Sequence, residues 1–237
     1  MRLSILHTND LHGQLTTERL PFLLSLREKA DVYFDTGDCI KTGNLGVPLR
    51  PEPVWGMLAQ ARCDASVIGN RETHILEGPF NAKLSGASHP VLCANLRRRD
   101  GSRPLPSSLT FERDGVKVGV FGVSVPMVTE RMKTQSASAF LWDAPIETAA
   151  RLCAELRPQV DILVALTHIG HAQDLKLAEA CPEIDVILGG HSHTVIESPE
   201  KVGTTWICQG GSHAHYAGLY DWSDGALTGG LVPWAIL

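Results

Sequence analysis

Surplus positive charge is the first thing this chain of 237 residues does without: 21 Lys and Arg stand against 26 Asp and Glu, a formal net charge of −5. Binding to a phosphate backbone rests on clustered cations, so this balance argues against a nucleic-acid partner. The one basic cluster, Arg97-Arg98-Arg99, runs into Asp100-Gly101 and reads as a solvated turn. No apolar segment approaches the roughly 20 residues that a membrane span needs. The start, MRLSILHTND, enters an alternating pattern at once, without the long apolar core and small-residue cleavage site of an export signal. Six cysteines are scattered with no CxxC pair, most of them in apolar surroundings, which fits reduced, structural thiols. These absences predict a cytoplasmic globule that makes no membrane contact, and they say nothing of its oligomeric state.

What is present is an ordinary globular composition, 43% hydrophobic and 20% charged. Short apolar runs with polar, Gly-rich tips alternate with longer stretches of helical spacing. LSILHTND and DVYFDTGD read as strands on either side of ERLPFLLSLREKA, a helix; DASVIGN, PVLCANL and VKVGVFGVSV follow as strands. PIETAARLCAELRPQ and DLKLAEACPE read as helices feeding the strands VDILVALTH and IDVILGGHSH, with TTWICQGG and AGLYDWSD as late strands. Such alternation predicts an α/β fold with parallel strands and crossover helices. With no repeat, low-complexity tract or linker, residues 1–237 are expected to form a single domain. The stretch from Lys41 to Pro53 has little periodicity and is expected to be the most flexible loop.

Five of the strand-like runs end in residues able to bind a divalent metal: Asp10 and His12, then Asp38, Asn70, His168, and finally His191 and His193. In open α/β sheets ligands collect outside the carboxyl ends of the strands, so these donors are expected on one rim. The alternate spacing of Asp10/His12 and of His191/His193 predicts that each pair projects from one side of an extended segment. Seven donors exceed a four-ligand zinc site but suit two divalent cations sharing a bridging carboxylate. Mixed nitrogen and oxygen donors do not select among Mn²⁺, Zn²⁺, Fe and Co²⁺. Each element alone is an ordinary turn or strand end; the signal is their ordered conjunction.

Taken together, ILHTNDLHG, DTGDCI, VIGNRE, LTHIG and GGHSHT resemble the calcineurin-like metallophosphoesterase superfamily, over about residues 2–222. More narrowly they are similar to the catalytic domain of the 5′-nucleotidase / 2′,3′-cyclic phosphodiesterase family. The resemblance implies a four-layer αββα sandwich with a dinuclear metal centre at the C-terminal rim of its strands. It implies that Asp10, His12, Asp38 and His193 hold one metal, and that Asp38, as the bridge, holds the other with Asn70, His168 and His191. It further implies a phosphatase or phosphodiesterase acting on a small phosphorylated substrate, nucleotides or cyclic nucleotides included, by attack of a metal-bridging hydroxide on phosphorus.

One position departs from that pattern. Where the family has Gly-Asn-His-Glu, this chain has Gly69-Asn70-Arg71-Glu72. An arginine neutralises charge on phosphoryl oxygens but cannot protonate a departing alkoxide. Arg71 is therefore expected to clamp phosphate, with proton donation passing to His74 or to His213, and His215 beside it as a further substrate contact. Two alternatives stand beside this: leaving groups good enough to need no acid, and a catalytically weak metal- or phosphate-binding scaffold of the same fold. Glu72 is a candidate ion-pair partner for Arg71, and His7, inside the first strand, is expected to be buried and hydrogen-bonded. The 5′-nucleotidases of the family carry a C-terminal nucleoside-binding domain; none is expected here, so substrate recognition would fall to the loops after Asp38 and Asn70.

Overall fold

Strands that are apolar on both faces must be covered on both, and this chain achieves that by stacking two sheets and flanking the pair with helices. The computed structural model describes residues 1–129 and 131–235. In chain order the elements are β1 (Arg2–Thr8), α1 (Leu20–Arg27), β2 (Val32–Asp35), α2 (Pro53–Gln60), β3 (Ala65–Val67), α3 (Glu77–Leu84) and β4 (Val91–Leu92). There follow β5 (Leu96–Arg98), β6 (Ser108–Arg113), β7 (Val116–Ser124), β8 (Phe140–Trp142), α4 (Pro145–Leu156), β9 (Ile162–His168) and α5 (His171–Ala180). The chain closes with β10 (Val186–Leu188), β11 (Glu200–Val202), β12 (Thr205–Cys208), β13 (Tyr216–Ser223) and β14 (Ala226–Pro233). One six-stranded sheet has the order β14-β13-β1-β2-β3-β4, the other β11-β12-β10-β9-β7-β6, and β5 and β8 pair as a small ribbon.

Side-chain alternation divides the core into three layers. Between the sheets, Leu3, Ile5, Phe34 and Val67 of the first meet Val118, Val120, Val164 and Leu188 of the second. On the outer face of the first sheet, Leu6 and Tyr33 pack under Leu23 and Leu26 of α1 and Trp55 and Leu58 of α2. On the outer face of the second, Phe121, Leu163 and Ile187 pack under Ala149, Cys153 and Leu156 of α4 and Leu177 of α5. The result is the αββα order that the sequence resemblance implies. Helix α4 shows the local logic: Pro145 opens it where a missing N–H costs nothing, and Ala149, Cys153 and Leu156 recur on one face. All six cysteines are buried and free. Among the described residues no helix is long and apolar enough to cross a membrane.

The basic cluster differs from the sequence expectation. Arg97 and Arg98 lie in β5 rather than in a solvated turn; Arg97 Nε donates to Asp143 Oδ1 at 2.9 Å and Arg98 Nε to Glu77 Oε1 at 2.8 Å. Arg99 Nε donates to the Ser138 carbonyl at 2.8 Å. The partners come from distant parts of the chain, which a local charge pattern does not reveal.

A buried acid between α5 and the second sheet makes stability depend on pH. Asp174 is fully buried, accepts a hydrogen bond from Thr167 Oγ1 at 2.7 Å, and has its second oxygen without a partner. Burial pushes its carboxyl up to about 8, against the opposing pull of Thr167. A folded-state value above the unfolded one means that stability is fully present below the unfolded value, near 3.9, and is lost as pH rises toward 8. One such proton gives a slope of at most about 1.4 kcal/mol per pH unit. Asp174→Asn keeps the acceptor for Thr167 and removes the titration. Its melting temperature should therefore fall less than that of the parent between pH 5 and pH 8; an unchanged difference would show that the acid ionises freely.

Candidate metal centre

The two sheets deliver their donors to one rim. Asp10 and His12 follow β1, Asp38 follows β2, Asn70 follows β3, His168 ends β9, and His191 and His193 follow β10. Backbone hydrogen bonds run on past the strand ends: Asp10 N to Gly37 O at 2.9 Å, His12 N to Asp38 O at 2.8 Å and Gly13 N to Cys39 O at 2.9 Å. The exits of β1 and β2 are thus laced together before either loop turns away.

The donor pairs do not project from extended segments, as their spacing had predicted. Asp10, His12, His191 and His193 have φ of 49°, 50°, 78° and 55°, and Asp38 and His213 have 53° and 58°. These side chains reach the rim because the backbone turns through the left-handed region, which costs a residue with a Cβ about 1–3 kcal/mol and persists only where the surroundings enforce it. Two glycines make the close approach of the loops possible. A Cβ on Gly69 would lie 2.2 Å from Asp38 Oδ1, and one on Gly37, itself at φ +85°, would lie 2.4 Å from Gly69 N.

Around the rim the donor atoms form two sets, Asp10 with His12 and His193, and Asp10 with Asp38 and His168, each set lying within 4.8 Å. Asp10 thus belongs to both, beside the Asp38 assigned as bridge from the resemblance. Asp38 Oδ2 is 3.9 Å from His12 Nδ1, and its Oδ1 is 3.6 Å from His168 Nε2. On the second lobe, Asn70 Oδ1 lies 2.9 Å from His191 Nδ1 and 3.2 Å from His168 Nε2.

At His168 a lone pair faces a lone pair, which is the test of whether a cation fits. His168 Nδ1 donates to the Thr36 carbonyl at 2.7 Å, so its Nε2 carries no proton in the neutral ring and faces Asn70 Oδ1 as a second acceptor. The Asn70 amide is fixed from its other end, where Nδ2 donates to Asn44 Oδ1 at 3.0 Å. His12 Nε2 and His193 Nε2 stand 3.0 Å apart, where one ring can donate to the other, while His12 Nδ1 and Asp10 Oδ1, the latter 3.3 Å from His193 Nε2, are buried without a well-formed hydrogen bond. Acceptors in such proximity are unfavourable unless a positive charge lies among them. The donor set fits divalent cations.

The electrostatics agree. Burial pushes the Asp38 carboxyl up to about 7, despite the hydrogen bond from the Arg71 amide. Burial pushes Asp10 up too, but His193, His168 and the Asn9 amide outweigh it and leave it below its ordinary value. Burial and the field of Arg71 lower His12 to about 4, so it is a neutral ligand at pH 7.

The other candidate residues fall at different distances. Arg71 donates its amide N–H to Asp38 Oδ1 at 2.7 Å and its Nη1 to the Lys41 carbonyl at 2.9 Å, with Nε 3.9 Å from Asp38 Oδ2. Its side chain stays 29% exposed, beside the donors and open to solvent. The ring of His213 is 4.7 Å from that of His12 and 5.9 Å from that of His193, and its Nδ1 is 2.8 Å from Ser212 Oγ. His215 lies one ring further out, 6.3 Å from His213. His213 and His215 sit in a turn before β13 and not on a strand. His74 lies in the loop after Asn70: its Nδ1 accepts the Leu76 N–H at 3.0 Å, which places its proton on Nε2, and burial and Lys83 lower its pKa. As a neutral imidazole near pH 7 it donates a hydrogen bond and is a poor acid. His7 is buried, with Nε2 2.9 Å from Thr36 Oγ1.

Glu72 does not pair with Arg71. Its buried carboxylate turns inward, with Oε2 accepting the Asp38 and Gly69 amides at 2.8 Å each and Oε1 accepting that of Ile40 at 3.2 Å. It thereby sets the loop that carries Asp38. Asn9, Asn44 and Lys83 also hold the rim; Asn44 and Lys83 are not evident from the sequence pattern, because they act on an amide or on backbone atoms of distant loops. Only Asn9, inside the HTND run beside Asp10, had a local signal.

Known proteins share the sequence pattern and the fold of this chain. The family model for calcineurin-like phosphoesterases matches residues 3–195. An uncharacterized metallophosphoesterase of Bacillus subtilis, YunD, is 29% identical over 241 residues, covering 93% of this chain and 50% of its own length. A 5′-nucleotidase of Vibrio cholerae is 29% identical over 234 residues, covering 85% of this chain and 42% of its own. The chain therefore spans about half the length of these curated relatives. Among solved structures, a 5′-nucleotidase precursor from Thermus thermophilus superposes with a TM-score of 0.82 at 22% identity, over 99% of this chain and 55% of that one. With its fold, its rim of donors and the family match over most of its length, the chain belongs to the calcineurin-like phosphoesterases, hydrolases that work with divalent metals.

Proposed function

We propose that this protein hydrolyses phosphoesters with two divalent cations held by Asp10, His12, Asp38, Asn70, His168, His191 and His193, nucleotides or cyclic nucleotides being among its candidate substrates. The observation that carries this reading is the pair of donor sets joined through Asp10, with Asp38 reaching both lobes. Cations bound there would supply Lewis acidity and a nucleophilic water of lowered pKa. The chain's own residues do the rest. Asp10 and Asp38 provide the negative charge that holds the centre. His168 is kept in one tautomer by Thr36, and Asn70 in one orientation by Asn44.

Arg71 is the phosphate clamp. Its amide is fixed on Asp38 while its guanidinium faces solvent beside the donors, where phosphoryl oxygens would lie. Proton delivery to the departing alkoxide falls to His213, whose ring stands next to His12, with His215 behind it as a substrate contact. Burial and the field of His193 lower the pKa of His213 as burial lowers that of His74, so its place beside the donors, not a stronger acidity, favours it. His74, with its proton on Nε2, is the other candidate donor.

The test is a panel of phosphomonoesters and phosphodiesters assayed with Mn²⁺, Zn²⁺, Fe²⁺ and Co²⁺ in turn, and again after chelation. Turnover should require metal. Arg71→Ala should raise KM and the inhibition constant for inorganic phosphate by about 10–100-fold, as loss of a charge-assisted contact predicts. Arg71→His should act comparatively better on esters of poor leaving alcohols, since it restores a proton donor. Metal retained with no turnover across the panel would favour the scaffold reading, and variants matching the parent across a leaving-group series would remove the clamp.

A further inference from the structure

Beside the donor ring lies an apolar slot of about 220 Å³ that the catalytic reading leaves unused. Its walls are mainly Leu45, Ile75, Met127, Val128, Phe140 and Trp142, and its polar members are Asn44, His74, Thr134 and Ser138. Asn44 joins it to the centre, since its Oδ1 accepts from the amide of Asn70, whose own Oδ1 faces His168 and His191. The β5–β8 ribbon, added to the two main sheets, forms part of the wall. Leu96 pairs with Trp142 and Arg98 with Phe140, and the alternation puts all four on one face of the ribbon; Leu96, Phe140 and Trp142 line the slot, while the guanidinium of Arg98 is taken up by Glu77 at 2.8 Å. Leu45, in the loop after Asp38, keeps 88% of its surface in water while touching the slot.

From this juxtaposition we infer that the slot receives the alcohol portion of the substrate, and that this portion is an uncharged, ring-sized apolar group. The inference rests on the phosphoester reading above for the place of the phosphoryl group. None of the described residues lining the slot is a lysine, an arginine or a carboxylate, so it offers no partner to a second phosphate or to an ammonium group. His74, with its proton on Nε2, and Asn44 supply hydrogen bonds at the edge for one or two polar atoms of the ring. An apolar pocket with few polar groups recognises a ring by area and orients it by those groups.

The experiment separates this from the hydrolase reading by using ligands that cannot be cleaved. Binding of 2-phenylethylphosphonate and of ethylphosphonate to the Mn²⁺-loaded full chain is measured by calorimetry. The phenyl compound should bind at least about tenfold more tightly, the effect of burying one apolar group in a fitted pocket. Leu45→Asp, at an exposed position where folding is not at stake, and Val128→Trp, which fills the slot, should each bring the ratio of the two affinities toward one. Equal affinities in the parent, or a ratio untouched by both variants, would overturn the inference. A ratio that behaves as expected while neither corresponding phosphate ester is hydrolysed would support the slot and overturn the hydrolase reading instead.

Discussion

Asp38→Asn is expected to abolish turnover, lowering kcat/KM at least about 10³-fold, because the loss of several kcal/mol of charge stabilisation at the phosphoryl group translates to that factor. The substitution is nearly isosteric. An asparagine can still accept the Arg71 amide N–H through Oδ1, the bond that Asp38 accepts at 2.7 Å. What it loses is the charge on the residue reaching both donor lobes, and in place of Oδ2 it presents an N–H₂ toward His12. The fold should survive. Burial pushes the Asp38 carboxyl up to about 7, so at pH 8 the metal-free parent carries an unfavourable buried charge that the variant lacks. The metal-free variant should therefore melt no lower than the metal-free parent at that pH, while its Mn²⁺ affinity collapses. Full activity in a folded Asp38→Asn protein would end the two-cation reading.

The second large effect is expected at a residue that is not itself a donor. Lys83, on α3, is buried, and its ammonium donates to the carbonyls of Gly43 at 2.9 Å, Asn44 at 3.1 Å and Arg71 at 2.5 Å. These are backbone atoms of the two loops that bear Asn44 and Arg71, so one cation ties the slot edge to the phosphate clamp. Lys83→Met leaves the carbonyls without their donor and should destabilise the protein by about 2–4 kcal/mol, read from the urea midpoint. In the fraction that remains folded, Asn44 loses its anchorage and Asn70 its fixed orientation. Mn²⁺ affinity should fall about 10–100-fold, the usual consequence of losing a group that orients a ligand. Lost stability with unaltered metal affinity would make Lys83 a structural staple only.

Why Lys83 escaped a reading of the sequence is instructive. Its helix, EGPFNAKL, buries only Phe80 and Lys83 and so carries little periodic signal, and a lysine that serves carbonyl oxygens leaves no charge partner to be noticed. Helix α2 was equally unannounced, since its apolar residues are interrupted by Gly56 and follow a Pro-rich loop. The slot depends on β5 meeting β8 across more than forty residues of chain, and no local pattern records such a pairing. By contrast, the positions of Asp10, Asp38, Asn70, His168 and His191 on one rim were legible, because each follows or ends a short apolar strand with a glycine nearby. The reason first suggested for the Asp10/His12 and His191/His193 pairs, alternation along a strand, was not the physical one. Positive φ at all four brings them inward, and φ is invisible to spacing.

That backbone geometry bears on how such a protein could acquire a different substrate. A replacement at Asp10, His12, Asp38, His191 or His193 must suit the ligand and also tolerate a conformation that most side chains resist. Few single exchanges satisfy both demands, so variation at the ring is heavily filtered by folding before chemistry is tried. Leu45 and Met127 carry no such constraint, and laboratory selection for new esters should accumulate its accepted changes there.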